Sequence, residues 1–392
     1  MPLQLGPGDT ANSVRSAKHV QHVERVKAAL ALEAELGKVD GAPEPVFISM
    51  QDQASLVGFY ESKIMDVCKA FRKKGFQALV CVGRARLTSQ DAAKDPTVQA
   101  TAIAYFKRFY LYHSVMDYDP KQMLIVSLFL AAKVENASIP LNEFLSIIPS
   151  SPSIDQVKDL EFELSEGLNF EYKVHHPFWP LHGFFLDMQA YLKQVASSKD
   201  SLNKIAERLG DCYKKAKDYA SDSLLTDIML TQSPTQIAIA CLLAAARETE
   251  FIEDFESYLQ HRLLAPSEQF ANTLVNDRVK QQAVDQTKHN EVKIEAAEEE
   301  KDIDAEFVFS MLKSRLSEME SMIKAARSSV ATKAHCQQID VKLKSCRNPE
   351  FLADSLVYAK RRHDQQQLAE RKRAKKIKGA SAMRNEDEAV FQ

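Results

Sequence analysis

Two groups of residues in this chain have types that could do chemistry. His335, Cys336 and Cys346 could offer imidazole and thiolate donors to a metal ion, but three donors at that spacing fit no zinc pattern. No metal is assigned to them. Lys133 and Glu161 form the second group. Lys133 closes an apolar stretch, Met123 to Ala132, and Glu161 stands between Leu160 and Phe162. Read from the residues alone, each has an ordinary use. A lysine at a helix C-terminus complements the helix dipole, and a glutamate on a helix faces water. His175 and His176 precede Pro177, where packing or a local hydrogen bond is the simpler role. The sequence contains no phosphate-cradling glycine loop, no nucleophile elbow and no paired-histidine zinc motif. It assigns no catalytic residue and no cofactor, and the balance shifts towards a binding protein.

The elements that must position these residues are helices. Only 11 of 392 residues are glycine, too few for the many tight turns of a sandwich or barrel. Apolar residues at 45% and charged residues at 27% exclude a chain disordered throughout. The net charge of −3 leaves any nucleic-acid partner to local clusters. Six dispersed cysteines without a C-x-x-C pair fit reduced thiols, and so the cytosol or nucleus. No signal peptide is read at the N-terminus. The longest apolar stretch is far short of the ~20 residues that span a bilayer.

Val14, Val20, Val23, Val26, Leu30 and Ala34 predict an N-terminal helix that ends before Gly37. A second helix is predicted over Gln53 to Lys73. Asp95-Pro96 and Asp119-Pro120 each read as a helix start, with Asp as cap and Pro in the first turn. Ser153 and Gln156 have capping-box spacing for a helix that ends near Leu168. The helix from Pro120 to Lys133 aligns without gaps on Pro234 to Arg247, 114 residues later. Both copies have a capping residue before Pro, Gln two places after it, and a basic end. A period this long implies two copies of a compact helical domain.

Leu264 to Asp304 is polar and reads as a mobile insert or a solvated helix. Phe307 to Ala326 is amphipathic, and a last apolar helix is predicted around Phe351, Leu352, Leu356 and Val357. Nine Lys or Arg then lie between Lys360 and Lys378.

The segments FLAAKVEN (Phe129 to Asn136) and YFKRFYLYHSVMDYDP (Tyr105 to Pro120) resemble the first box of the cyclin family. LEFELSEGLNF (Leu160 to Phe170) resembles the helix that closes that box. HHPFWPLHGFFLDM (His175 to Met188) and LLTDIMLTQSPTQIAIACLLAAA (Leu224 to Ala246) resemble the second box, most closely in cyclins of the H type. The resemblance implies an all-α fold of tandem cyclin boxes, two five-helix repeats, with flanking N- and C-terminal helices. It places a first box at 51–172, with an insertion near 74–94, and a second at 173–263. The N-terminal helix and linker occupy 1–50, the polar insert 264–304, C-terminal helices 305–362 and the tail 363–392.

By the same resemblance Lys133 and Glu161 fall on the lysine and glutamate that hold a kinase, with Ala131 where close approach needs a small residue. Glu61 and Lys107 fall where many cyclins carry a buried Arg–Asp pair, with the charges exchanged. The implied activity is regulatory: a non-enzymatic subunit that binds and activates a cyclin-dependent kinase catalytic subunit. For the H type the implied partners are the CDK-activating kinase, a RING-finger assembly subunit and the TFIIH core, in the nucleus. No membrane partner and no direct nucleic-acid binding are expected. The alternatives are another transcription cyclin, of C, K or T type, or a TFIIB-type factor with two cyclin folds. The TFIIB type would want a zinc ribbon, and the chain has no C-x-x-C.

Overall fold

The computed structural model describes residues 11–37, 45–73, 97–137, 139–149, 151–195, 199–263, 305–352 and 354–390. Among the described residues the regular elements are all helical. In chain order the α-helices are α1 (Ala11–Gly37), α2 (Met50–Lys73), α3 (Thr97–Tyr112), α4 (Pro120–Val134), α5 (Leu141–Ile147), α6 (Ile154–Gly167) and α7 (Phe178–Val195). They continue with α8 (Lys199–Ser223), α9 (Ile228–Thr231), α10 (Pro234–Glu248), α11 (Ile252–Tyr258), α12 (Ala305–Ala325), α13 (Lys333–Ser345) and α14 (Leu356–Val390). Two compact units result: Met1–Lys173 with Val330–Gln392, and Val174–Ser329. The segments 74–94 and 264–304, and the Asp95-Pro96 start, lie outside the described residues.

In the first unit α4 is the central helix. Asp119 accepts a bond from the Lys121 amide and Pro120 occupies the first turn, so the helix starts where the sequence signals it. Apolar residues surround α4 on every side, and α2, α3 and α6 pack around it accordingly. From Thr97 to Leu111, α3 is buried at every position except Arg108. Gly167 ends α6 against this helix. A Cβ there would stand 2.8 Å from the Phe109 ring, so only glycine allows the approach. The Ser153–Gln156 capping box is formed at the other end of α6.

The terminal elements fold back onto this unit. α1 packs on α3 and α14, and α13 packs on α2. Polar contacts fix them, since the stripe of α1 is mostly Ala and Val. Asp117, fully buried, receives Arg25 of α1, lies 3.2 Å from His22 Nδ1, and accepts a 2.7 Å bond from Asn348 Nδ2. Burial pushes the Asp117 carboxyl up. The contacts of His22, Asn348 and Arg25 outweigh burial and hold it below the ordinary carboxylate range. Glu33 of α1 accepts bonds from the Leu356 and Val357 amides and the Ser355 hydroxyl, and so caps α14. Phe351 is not in a helix with Leu356. Asn348 caps a short 3-10 turn, Pro349–Phe351, and Ser355 opens a separate helix that carries the basic tail.

In the second unit α10 takes the central place. Ser233 and Gln236 form a capping box, Pro234 lies in the first turn, and residues Ile237 to Ala246 are buried. Helices α7, α8, α11 and α12 pack against it. α12 thus stands to α10 as α6 stands to α4, and it is the fifth helix of the second repeat. A boundary at 263 leaves that helix out, because the polar segment 264–304 separates it from the other four. The block read as C-terminal helices, 305–362, divides accordingly: α12 belongs to the second unit and α13 with the start of α14 to the first.

Candidate functional site

Lys133 is in the last turn of α4, and α6 brings Glu161 to it. Lys133 Nζ donates to Glu161 Oε1 at 2.5 Å. The lysine side chain is 45% exposed and the glutamate 18%. The pair is therefore formed in the free chain and remains open to solvent on one side. The Lys133 ammonium also lies 5.2 Å from the centre of the Phe129 ring, which holds its stem along α4. Ala131, two residues before Lys133 on α4, is fully buried between the helices of the first unit.

Beside the pair lie two aromatic residues that the sequence reading did not single out. Phe162 is 62% exposed and Phe170 is 56% exposed, and their rings meet edge to face at 6.5 Å. Phe170 follows the end of α6 with φ of 58°, in the left-handed region that a bulky residue rarely adopts. Its amide donates to the Ser165 carbonyl at 2.9 Å, which ends the helix. The signal in the sequence was Phe162 on the polar side of α6, one step beyond Glu161.

Glu61 and Lys107 meet between α2 and α3. Lys107 Nζ donates to Glu61 Oε2 at 2.5 Å, with both side chains at least 97% buried. This pair faces the interior and cannot contact a partner. His113 lies at the end of α3 with its ring stacked on Phe109 at 4.2 Å. Burial, with help from the His22 charge, pushes its pKa down to about 4. Cys336 and Cys346 are buried within and beside α13, whereas His335 is exposed. His175 is exposed and His176 buried at the start of the second unit.

The first repeat thus carries a solvent-accessible charge pair and an exposed aromatic pair at the end of its fifth helix. Two family models match the chain: "Cyclin, N-terminal domain" over residues 89–173 and "Cyclin C-terminal domain" over residues 176–348. Together they span well over half of it, and the chain belongs to the cyclin family. The second match runs through α12, in keeping with its place as a fifth helix. Among curated relatives, "Cyclin CCL1" of Saccharomyces cerevisiae is 35% identical over 50% of this chain and 42% of its own length. "Putative cyclin-H" of Dictyostelium discoideum is 30% identical over 51% of this chain and 60% of its own length. The chain thus spans about half the length of the curated relatives it matches. The fold is also that of a chain in the CAK complex of Chaetomium thermophilum bound to ATP-gamma-S. The TM-score is 0.56 at 22% identity, over 93% of this chain and 91% of that one.

Proposed function

We propose that this chain is the regulatory subunit of a cyclin-dependent kinase, of the CDK-activating type that works with TFIIH. The observation that carries the reading is the Lys133–Glu161 pair, open to solvent and bordered by Phe162 and Phe170. Aromatic anchors around a charge pair that a partner desolvates are the makings of an interface centre. The similarity to proteins named cyclin-H supports this type of kinase. In this reading the chain catalyses nothing itself. Docking of the first repeat presses the kinase C helix inward and completes the Lys–Glu ion pair that an active kinase needs. Lys133 and Glu161 then offer bonds to backbone around that helix. A RING-finger assembly subunit and the TFIIH core complete the proposed assembly, in the nucleus.

Affinity capture of the full chain from nuclear extract, followed by mass spectrometry, tests this. Recovery of the CDK-activating kinase catalytic subunit and its RING-finger partner supports the reading. Recovery of a different cyclin-dependent kinase alone replaces it with another transcription cyclin.

A further inference from the structure

The helix α14 leaves the first unit as an exposed basic rod. Lys360, Arg361 and Arg362 form one cationic triplet, and Arg371, Lys372 and Arg373 form another, 11 residues later. All six are exposed on a continuous helix. Eleven residues are close to three helical turns, so the two triplets occupy the same sector, roughly 16 Å apart along the axis. The root of the rod is fixed. Arg361 lies 4.9 Å from the centre of the Phe351 ring and 3.8 Å from Glu350, and Glu33 caps the first turn. Each triplet spreads over about 200° of the helix circumference, and the two cover the same arc, with the first turn tied to the body.

The chemistry of that face selects its partner. Among the described side chains of the rod beyond Tyr358, Leu368 is the large apolar one, and Asp364 and Glu370 are the acids. A protein partner would need aromatic or aliphatic anchors at the interface centre, and this described stretch offers almost none. A membrane-surface helix would need a continuous apolar face, which is also missing. A polyanion of evenly spaced charge can be held by cations alone, as the phosphate backbone of a nucleic acid is. We propose that α14 is a sequence-independent nucleic-acid contact, which grips duplex phosphates through the two triplets. The absence of aromatic residues between the charges excludes base stacking but not phosphate contact. This inference does not depend on which kinase the chain binds.

The test is the binding of purified full chain to a fluorescent 20-base-pair duplex across a salt series. Five to six phosphate contacts give a log–log salt slope of roughly −4.5 to −5.5. The triple variant Arg371→Ala, Lys372→Ala, Arg373→Ala should flatten that slope by roughly 3 and weaken binding equally for unrelated sequences. Alanine favours helix, so circular dichroism should show the fold retained. Competition with polyglutamate and with phosphatidylserine vesicles separates the sources of negative charge. Displacement by excess duplex but not by equal charge of either competitor supports the proposal. An unchanged slope in the triple variant, no duplex binding at low salt, or stronger capture by polyglutamate or vesicles would overturn it.

Discussion

The two repeats share a frame and differ in what they leave open. α4 and α10 have the same length, the same proline start and a basic residue in the last turn. In both, that residue reaches the fifth helix. Lys133 meets Glu161, and Arg247 Nη1 donates to Glu320 at 2.6 Å. The surroundings separate them. Glu320 is nearly buried and also accepts from Lys324 at 2.8 Å, while Lys324 and Lys215 both reach Glu248. That network ties three cations to two carboxylates, of which Glu320 is the buried one, while Arg247 is 40% exposed. The basic member is similarly exposed in the first repeat, but its carboxylate, Glu161, is 18% exposed against 6% for Glu320. Among the described residues Glu161 has no second lysine on it, and the same helix carries the exposed Phe162, with Phe170 at its end. One ancestral geometry serves cohesion in one copy and, in our proposal, a partner in the other.

A second contrast lies where the first two helices of each repeat meet. In the first repeat a desolvated ion pair, Glu61–Lys107, joins α2 to α3. In the second a single imidazole–hydroxyl hydrogen bond, His182 Nδ1 to the Tyr213 hydroxyl at 3.0 Å, joins α7 to α8, with Phe185 stacked on Tyr213. Removing one member of a buried ion pair leaves an uncompensated charge. Glu61→Gln or Lys107→Met should therefore cost about 3–5 kcal/mol in denaturant unfolding. The double variant Glu61→Leu, Lys107→Met should recover most of that. Tyr213→Phe should cost only about 1 kcal/mol, the net worth of a typical hydrogen bond. Equal losses for Glu61→Gln and Tyr213→Phe would remove this contrast.

The first repeat should also be the acid-sensitive one. His113 is neutral in the folded chain down to about pH 4, against an ordinary value of 6.5. Its contribution is fully present above pH 6.5. As pH falls from 6.5 towards 4 the unfolded chain gains a proton that the folded chain refuses, and stability drops by about 2–3 kcal/mol. Asp117 adds a further loss only below its ordinary range, because its folded pKa is depressed. His113→Phe keeps a ring against Phe109 and should flatten the stability profile between pH 6.5 and 4.5. A profile as steep as the parent's would assign the acid sensitivity elsewhere.

The smallest effect concerns the close approach of α6 to α3. Gly167→Ala puts a methyl group against the Phe109 and His113 rings, and overpacking of this kind costs about 1–3 kcal/mol. Gly183 of α7 has open space around it, so Gly183→Ala should stabilise slightly through helix propensity. Thermal melts of the two variants should move in opposite directions.

What could be read in the sequence was local or periodic. The helix starts at Asp119-Pro120, Ser153 and Ser233-Pro234 each rest on a cap and the turn that follows it, and all three are formed. The repeat was legible because α4 and α10 are apolar all round. The contacts that fix the terminal helices were not legible. Asp117 and Asn348 are 231 residues apart in sequence, and Glu33 caps a helix that starts more than 300 residues later. No periodicity encodes such pairings. α12 was legible as an amphipathic helix but not as the fifth of its repeat, because a long polar segment interrupts the spacing.

The central claim is that the first repeat holds the partner through its open charge pair and the second does not. The direct measurement is a calorimetric titration of the full chain with the catalytic subunit of the CDK-activating kinase, using Lys133→Ala, Glu161→Ala and Arg247→Ala. Loss of one partner of a pair desolvated in the complex costs about 2–5 kcal/mol. The first two variants should bind roughly 30-fold or more weakly, with circular dichroism unchanged, and Arg247→Ala should bind within about twofold of the parent. Parent-like affinity for Lys133→Ala and Glu161→Ala, or an equal loss for Arg247→Ala, would contradict the account.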